Sequence, residues 1–147
     1  MHTSPISDGT NIFVVSGSVA AFSPLLSTPL WTKAAAYLGE PSVANGVLYV
    51  RSLTGASTGG GVGTLVALDA ASGSTLWTFS GDGALAYPPV IAGHYVYVAS
   101  DANVYAVDTT THQQVWTASP GGWLSIANGQ LYVARADGTL DAWQMTQ

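Results

Sequence analysis

Four copies of one short segment predict an all-β protein built of four-stranded antiparallel blades. Three observations carry this. The segment recurs at a period of roughly 37 residues, inside the range that marks solenoids, propellers and other arrays. Each copy breaks into short runs of β-branched and aromatic residues bounded by Gly, Asn, Asp and Ser. No long stretch carries a 3.6-residue hydrophobic period, so helix content should be close to nil.

The copies start near Ser4, Pro41, Pro88 and Leu124, and divide a single array, 1–147, into repeats of about 4–40, 41–87, 88–123 and 124–147. Each opens with a hairpin block: PISDGTNIFVVSG from Pro5, SVANGVLYVRS from Ser42, PVIAGHYVYVAS from Pro89 and SIANGQLYVARADG from Ser125. A second block follows. It reads VAAFSPLLSTPLWTK from Val19, TLVALDAASGSTLWTF from Thr64, NVYAVDTTTHQQVWTA from Asn103 and TLDAWQ from Thr139. In the second copy the first strand is expected at Ser42–Ala44. Asn45-Gly46 closes it, because both residues tolerate the positive φ of a tight hairpin turn. The remaining strands fall at Val47–Ser52, Thr64–Asp69 and Thr75–Ser80. The third and fourth are joined by a turn from Asp69 to Gly73, with His112 in the place of that glycine in the third copy. The glycine-rich stretch from Leu53 to Gly63 is an insert that leaves the flanking pattern in register, and it reads as a flexible loop.

Four antiparallel strands per repeat at a constant period is the pattern of a β-propeller blade. An antiparallel sandwich spaces its strands similarly, but it gives no reason for Ala, Asp and Trp to return at fixed offsets. Four blades are about half of an eight-bladed ring, and the last copy ends before its outer strand. A blade without that strand has an open edge, and open edges invite pairing. Partners are therefore expected to be a second copy completing the ring, or the missing blades of a parent chain. Closure as a small four-bladed ring is the third solution.

Composition removes several classes of function. Charged residues are 7% of the chain, and only three are Lys or Arg, with a formal net charge of −5. Three cations cannot make the basic footprint that nucleic acid requires, and anionic membrane surfaces are disfavoured likewise. The absence of cysteine excludes disulfides, thiolate metal sites and cysteine nucleophiles. Apolar runs are too short for a membrane span, and Met1-His2-Thr3-Ser4-Pro5 does not read as a signal peptide. A cytoplasmic chain and a piece of a longer precursor both fit that start.

The run Ala67-Leu68-Asp69-Ala70-Ala71-Ser72-Gly73-Ser74-Thr75-Leu76-Trp77 resembles the repeat of the PQQ-like (pyrroloquinoline-quinone-type) β-propellers, whose usual form is Ala-x-Asp-x-x-Thr-Gly-x-x-x-Trp. Pro89-Val90-Ile91-Ala92-Gly93 and Val96-Tyr97-Val98-Ala99-Ser100 look like the segments that open such blades. The first copy departs from the pattern, with Ser23 in place of the Asp and with Pro24 and Pro29 in the turn. The resemblance implies that Trp31, Trp77 and Trp116 dock between blades and that Ala21, Ala67, Ala106 and Ala142 leave room for them. Asp69, Gly73 and Asp108 then belong to the structural turn. The family includes quinone-dependent dehydrogenases and non-catalytic scaffolds of outer-membrane assembly, so the resemblance also suggests a bacterial, extracytoplasmic setting.

Chemistry is sparse. A quinoprotein needs calcium held by Glu, Asn and Asp, an Asp base and cations for the quinone carboxylates, yet Glu40 is the only Glu. Most Asp residues sit at turns. The histidines, His2, His94 and His112, match no metal spacing. No nucleophile elbow or phosphate loop appears. The residues left for surface or channel contacts are Trp123, Arg51, Arg135 and Asp141; the two arginines are register equivalents, and bracing a blade edge is the plainer reading of both. The expectation is a non-catalytic scaffold or binding module with no cofactor. Part of a PQQ- and calcium-dependent dehydrogenase, or a carbohydrate-binding propeller using Trp123, are the alternatives.

Overall fold

The computed structural model describes residues 3–53 and 63–145, so the core of the glycine-rich insert and His2 lie outside the described residues. Among those described there are strands and turns but no helix. Blade 1 comprises β1 (Ile6–Ser7), β2 (Ile12–Val15), β3 (Gly17–Phe22) and the first part of β4 (Pro29–Ala44). Blade 2 takes the end of β4, then β5 (Val47–Leu53), β6 (Gly63–Asp69) and β7 (Thr75–Phe79). Blade 3 is β8 (Tyr87–Ala92), β9 (Tyr95–Ala99), β10 (Val104–Asp108) and β11 (Gln114–Ala118). Blade 4 has β12 (Trp123–Ala127), β13 (Gln130–Ala134) and β14 (Leu140–Gln144), and no fourth strand among the described residues. Every blade is an antiparallel meander in chain order, and among the described residues the buried clusters join blades 1 and 2, 2 and 3, and 3 and 4, with none joining blade 4 to blade 1, so the array is an unclosed arc.

One boundary differs from expectation. The outer strand of blade 1 and the inner strand of blade 2 are a single 16-residue strand, which merges the two blades into one seven-stranded sheet. The cause is double pairing at the junction. Tyr37 lies opposite Gly17 on one side and Ser52 on the other, so the chain is already extended ahead of the strand expected at Ser42–Ala44. A register slip between Leu38 and Ser42 absorbs Gly39 and Pro41.

The blades stack face to face, and alternation within each strand serves two seams at once. In β5, Leu48 and Val50 pack toward blade 1 while Tyr49 packs toward blade 3. In β6, Val66 and Leu68 face blade 1, whereas Leu65 and Ala67 face blade 3. This explains the near-continuous apolar runs: a strand covered on both faces has no side to leave polar. Each buried Leu, Val or Phe contributes about 1.5–3 kcal/mol, so the seams hold the arc together. In all three complete blades the conserved-offset Ala lies directly opposite the Trp: Ala21 with Trp31, Ala67 with Trp77, Ala106 with Trp116. A β-bulge follows immediately after each Ala, which turns the strand end and sharpens its twist.

Candidate functional site

The repeated turn is built by its aspartate. Asp69 Oδ1 accepts the Ser72 hydroxyl at 2.8 Å, the Ser72 N–H at 2.8 Å and the Ala71 N–H at 3.1 Å. Those bonds, the Ser72 hydroxyl foremost, hold its carboxyl below the ordinary 3.8. Asp108 does the same in blade 3, accepting the N–H groups of Thr110 and Thr111 at 2.7 and 2.8 Å. So ordered, the blade 2 turn offers the Ala70 carbonyl to the blade 1 tryptophan, whose Nε1–H donates to it at 3.0 Å.

Gly73 is where this docking is tightest. It sits at φ +74°, and a Cβ there would lie 2.6 Å from Trp31 Cε3. Blade 3 solves the same problem differently. His112 adopts φ +61°, and its imidazole stacks on Trp77 at 4.9 Å and 19°. At the third seam Trp116 meets Trp143 edge-on at 5.7 Å. A pocket of about 260 Å³ opens beside them, lined also by Tyr95, Tyr97, Leu131 and Met145. Ala142, across from Tyr132, is exposed, whereas Ala21, Ala67 and Ala106 are buried.

A second cavity, of about 400 Å³, is bordered by residues of all four blades. Val15 and Gly17 line it from blade 1, Glu40 and Arg51 from blade 2, Pro88 from blade 3 and Trp123 from blade 4. Arg51 reaches across to donate to the Leu85 carbonyl at 3.3 Å. Its Nη2 lies within 3.0 Å of the position a Cβ on Gly39 would take, so that glycine makes room for the guanidinium. Its Nε is buried without a partner, and burial lowers its pKa. Trp123 is 59% exposed and meets Tyr87 edge-on at 5.2 Å. The Tyr87 hydroxyl donates to Asp101 at 2.6 Å, which pushes its own pKa up.

Arg51 and Arg135, expected to be register equivalents, are not: Arg51 lies opposite Leu65, the matching place opposite Leu140 is held by Ala134, and Arg135 follows one residue later, so strand alternation sends the two side chains to different faces. Arg135 forms an ion pair with Asp141 on the neighbouring strand of its own blade and does not line the second cavity. Asp82 is a polar centre that sequence reasoning missed. Burial alone pushes its carboxyl up, but bonds from Ser100 Oγ at 2.5 Å, the Ala84 N–H and Asn103 outweigh this and hold it low. Its neighbourhood, Gly81-Asp82-Gly83, reads as plain loop, and no other copy carries a counterpart that could have flagged it. Among the described residues no three His, Asp or Glu side chains converge as a metal cluster. With one carboxylate, Glu40, and one guanidinium on its wall, the second cavity does not fit a calcium-bound quinone.

A family model described as outer membrane protein assembly factor BamB matches residues 15–140. The chain belongs to this PQQ-like propeller family. Among solved structures, BamB from Moraxella catarrhalis is similar over 95% of this chain and 45% of its own, with TM-score 0.76 and 24% identity. The computationally designed protein Ika4 is similar over 99% of this chain and 92% of its own, with TM-score 0.80 and 13% identity. Quinohemoprotein alcohol dehydrogenase from Comamonas testosteroni is similar over 80% of this chain and 21% of its own, with TM-score 0.64 and 18% identity. The chain thus spans a little under half the length of the BamB it resembles. No curated protein matches it by sequence. Among the described residues no helix is long and apolar enough to cross a membrane.

Proposed function

We propose that this PQQ-like propeller segment is a non-catalytic scaffold or binding module, a partial ring completed by further blades. One observation carries the reading: the recurring polar and aromatic side chains are engaged in architecture. Asp69 and Asp108 hold turns, Trp31 and Trp77 dock on the next blade, and Arg135 is paired with Asp141. The family description as an outer-membrane assembly factor supports an extracytoplasmic, bacterial setting. The test is titration with PQQ across millimolar Ca2+, following the quinone absorbance. An unperturbed spectrum is expected; a saturable, calcium-dependent shift would overturn the proposal in favour of a dehydrogenase.

A second reading rests on Trp123. Its exposed ring at the cavity rim, braced by Tyr87, is a platform on which a sugar ring could stack. Glycan-array binding that disappears in Trp123→Ala would establish it, and an array without signal would dismiss it.

A further inference from the structure

The two end blades carry the two halves of the interface that the interior blades make with one another. Each interior seam has a donor face and a receiver face. The donor face is an aromatic from the second strand together with an aliphatic and the Ala from the third: Phe13, Val19 and Ala21 in blade 1, then Tyr49, Leu65 and Ala67, then Tyr97, Val104 and Ala106. All of these are buried. In blade 4 the same register positions are Tyr132, Leu140 and Ala142. Here Leu140 is 64% exposed, whereas Val19, Leu65 and Val104 are fully covered.

The receiver face is apolar too. In blade 2 it is Leu48, Val50, Val66 and Leu68, and in blade 3 it is Val96, Val98, Tyr105 and Val107. Its equivalents in blade 1 are Ile12, Val14, Ala20 and Phe22, none of which is fully buried. Among the described residues, blade 4 therefore carries a donor face without a receiver, and blade 1 a receiver face without a donor. Apolar faces left partly open to solvent in this way mark interaction sites.

We infer that blade 4 of one copy docks on blade 1 of a second copy, and that two copies close one ring through two such junctions. Curvature supports the number two. The whole arc superposes on 45% of a BamB chain, so its blades follow the pitch of a ring about twice as long. The contact is heterologous, donor to receiver, and it closes because the rotation is completed by two arcs. This inference rests on the partial-ring reading above and names the occupant of its open faces.

The experiment is light scattering on the full chain and two variants, Val14→Arg in the receiver and Leu140→Arg in the donor. Both sites are on outward faces, and far-UV circular dichroism checks that each variant keeps its β signal. Wild type is expected at twice the chain mass of 15.1 kDa, independent of concentration over at least tenfold. Each variant alone should run as a monomer. Mixed in equal amounts they should recover a dimer, because one junction then joins an intact donor to an intact receiver. A wild-type monomer overturns the inference. So does a mass that climbs with concentration, which signals open chains, or a Val14→Arg dimer as stable as wild type, which signals pairing of blade 4 with blade 4. The assembly mass and the quinone titration fail independently, so the failure of this inference is distinguishable from failure of the scaffold reading.

Discussion

Replacing Gly73 by Ala should test whether tryptophan docking holds blade 1 to blade 2. The backbone at φ +74° is left-handed, and an L-residue there costs about 1–2 kcal/mol. The added Cβ would stand 2.6 Å from Trp31 Cε3, so the indole must retreat. Retreat breaks its 3.0 Å bond to the Ala70 carbonyl, worth about 1 kcal/mol net, and loosens its packing on Phe13. The total is about 2–4 kcal/mol. Urea unfolding followed by far-UV circular dichroism and by tryptophan fluorescence measures it. Gly73→Asn separates the contributions, because Asn tolerates the left-handed region yet carries the same Cβ. It should recover roughly the backbone share, about 1 kcal/mol, and leave the remainder. If Gly73→Ala lies within about 0.5 kcal/mol of wild type, Trp31 is not wedged at that turn and the reasoning is wrong.

Other outcomes follow from the same geometry. Gly121→Ala should cost more than Gly73→Ala, since its Cβ would fall 1.8 Å from the Ser100 carbonyl oxygen, backbone that cannot swing aside; soluble yield and melting temperature report it. Stability should decline in acid. Asp69 and Asp108 are held below 3.8 when folded, so their contribution is complete above that value and is lost as pH falls through the lower folded values. The double variant Asp69→Asn, Asp108→Asn should flatten the limb of a pH–stability curve below about pH 4. Disrupting the Arg135–Asp141 pair by Asp141→Asn should cost under about 1 kcal/mol and less at high salt, because both side chains are partly solvated; chemical denaturation at two ionic strengths checks this.

Much of the fold was legible because the repeat states it several times. In blades 2 and 3 the Ala, Asp and Trp offsets located the third strand, the turn and the docking ring, and each instance corroborated the other. What the sequence hid lies where repeats differ. The continuity of β4 depends on Tyr37 finding partners on two sides, which are apart in sequence and meet only when blades 1 and 2 pack. Arg51 and Arg135 both follow a Tyr-Val pair, but Arg135 comes one residue later in its blade, so alternation turns it toward Asp141, at the position that Val66 and Tyr105 fill in blades 2 and 3. Arg51 instead extends toward the backbone of blade 3. The Asp82 centre joins residues about twenty positions apart, Ser100 and Asn103, through a linker whose composition announces nothing.

The uninterrupted passage of β4 from blade 1 into blade 2 has a mechanical consequence. A joint spanned by a continuous hydrogen-bonded ladder resists bending, whereas a joint bridged by a turn yields at its side-chain packing. The first pair of blades therefore moves as one plate. Compliance is left to the two later joints, where the crossing segments 80–86 and 119–122 belong to no strand and are tied by isolated backbone contacts, such as the Gly63–Ala84 bridge and the Ala86 N–H to the Ala99 carbonyl, in place of a continuous ladder. When the arc flexes to admit or release whatever completes it, the far end swings and the near end serves as the anvil.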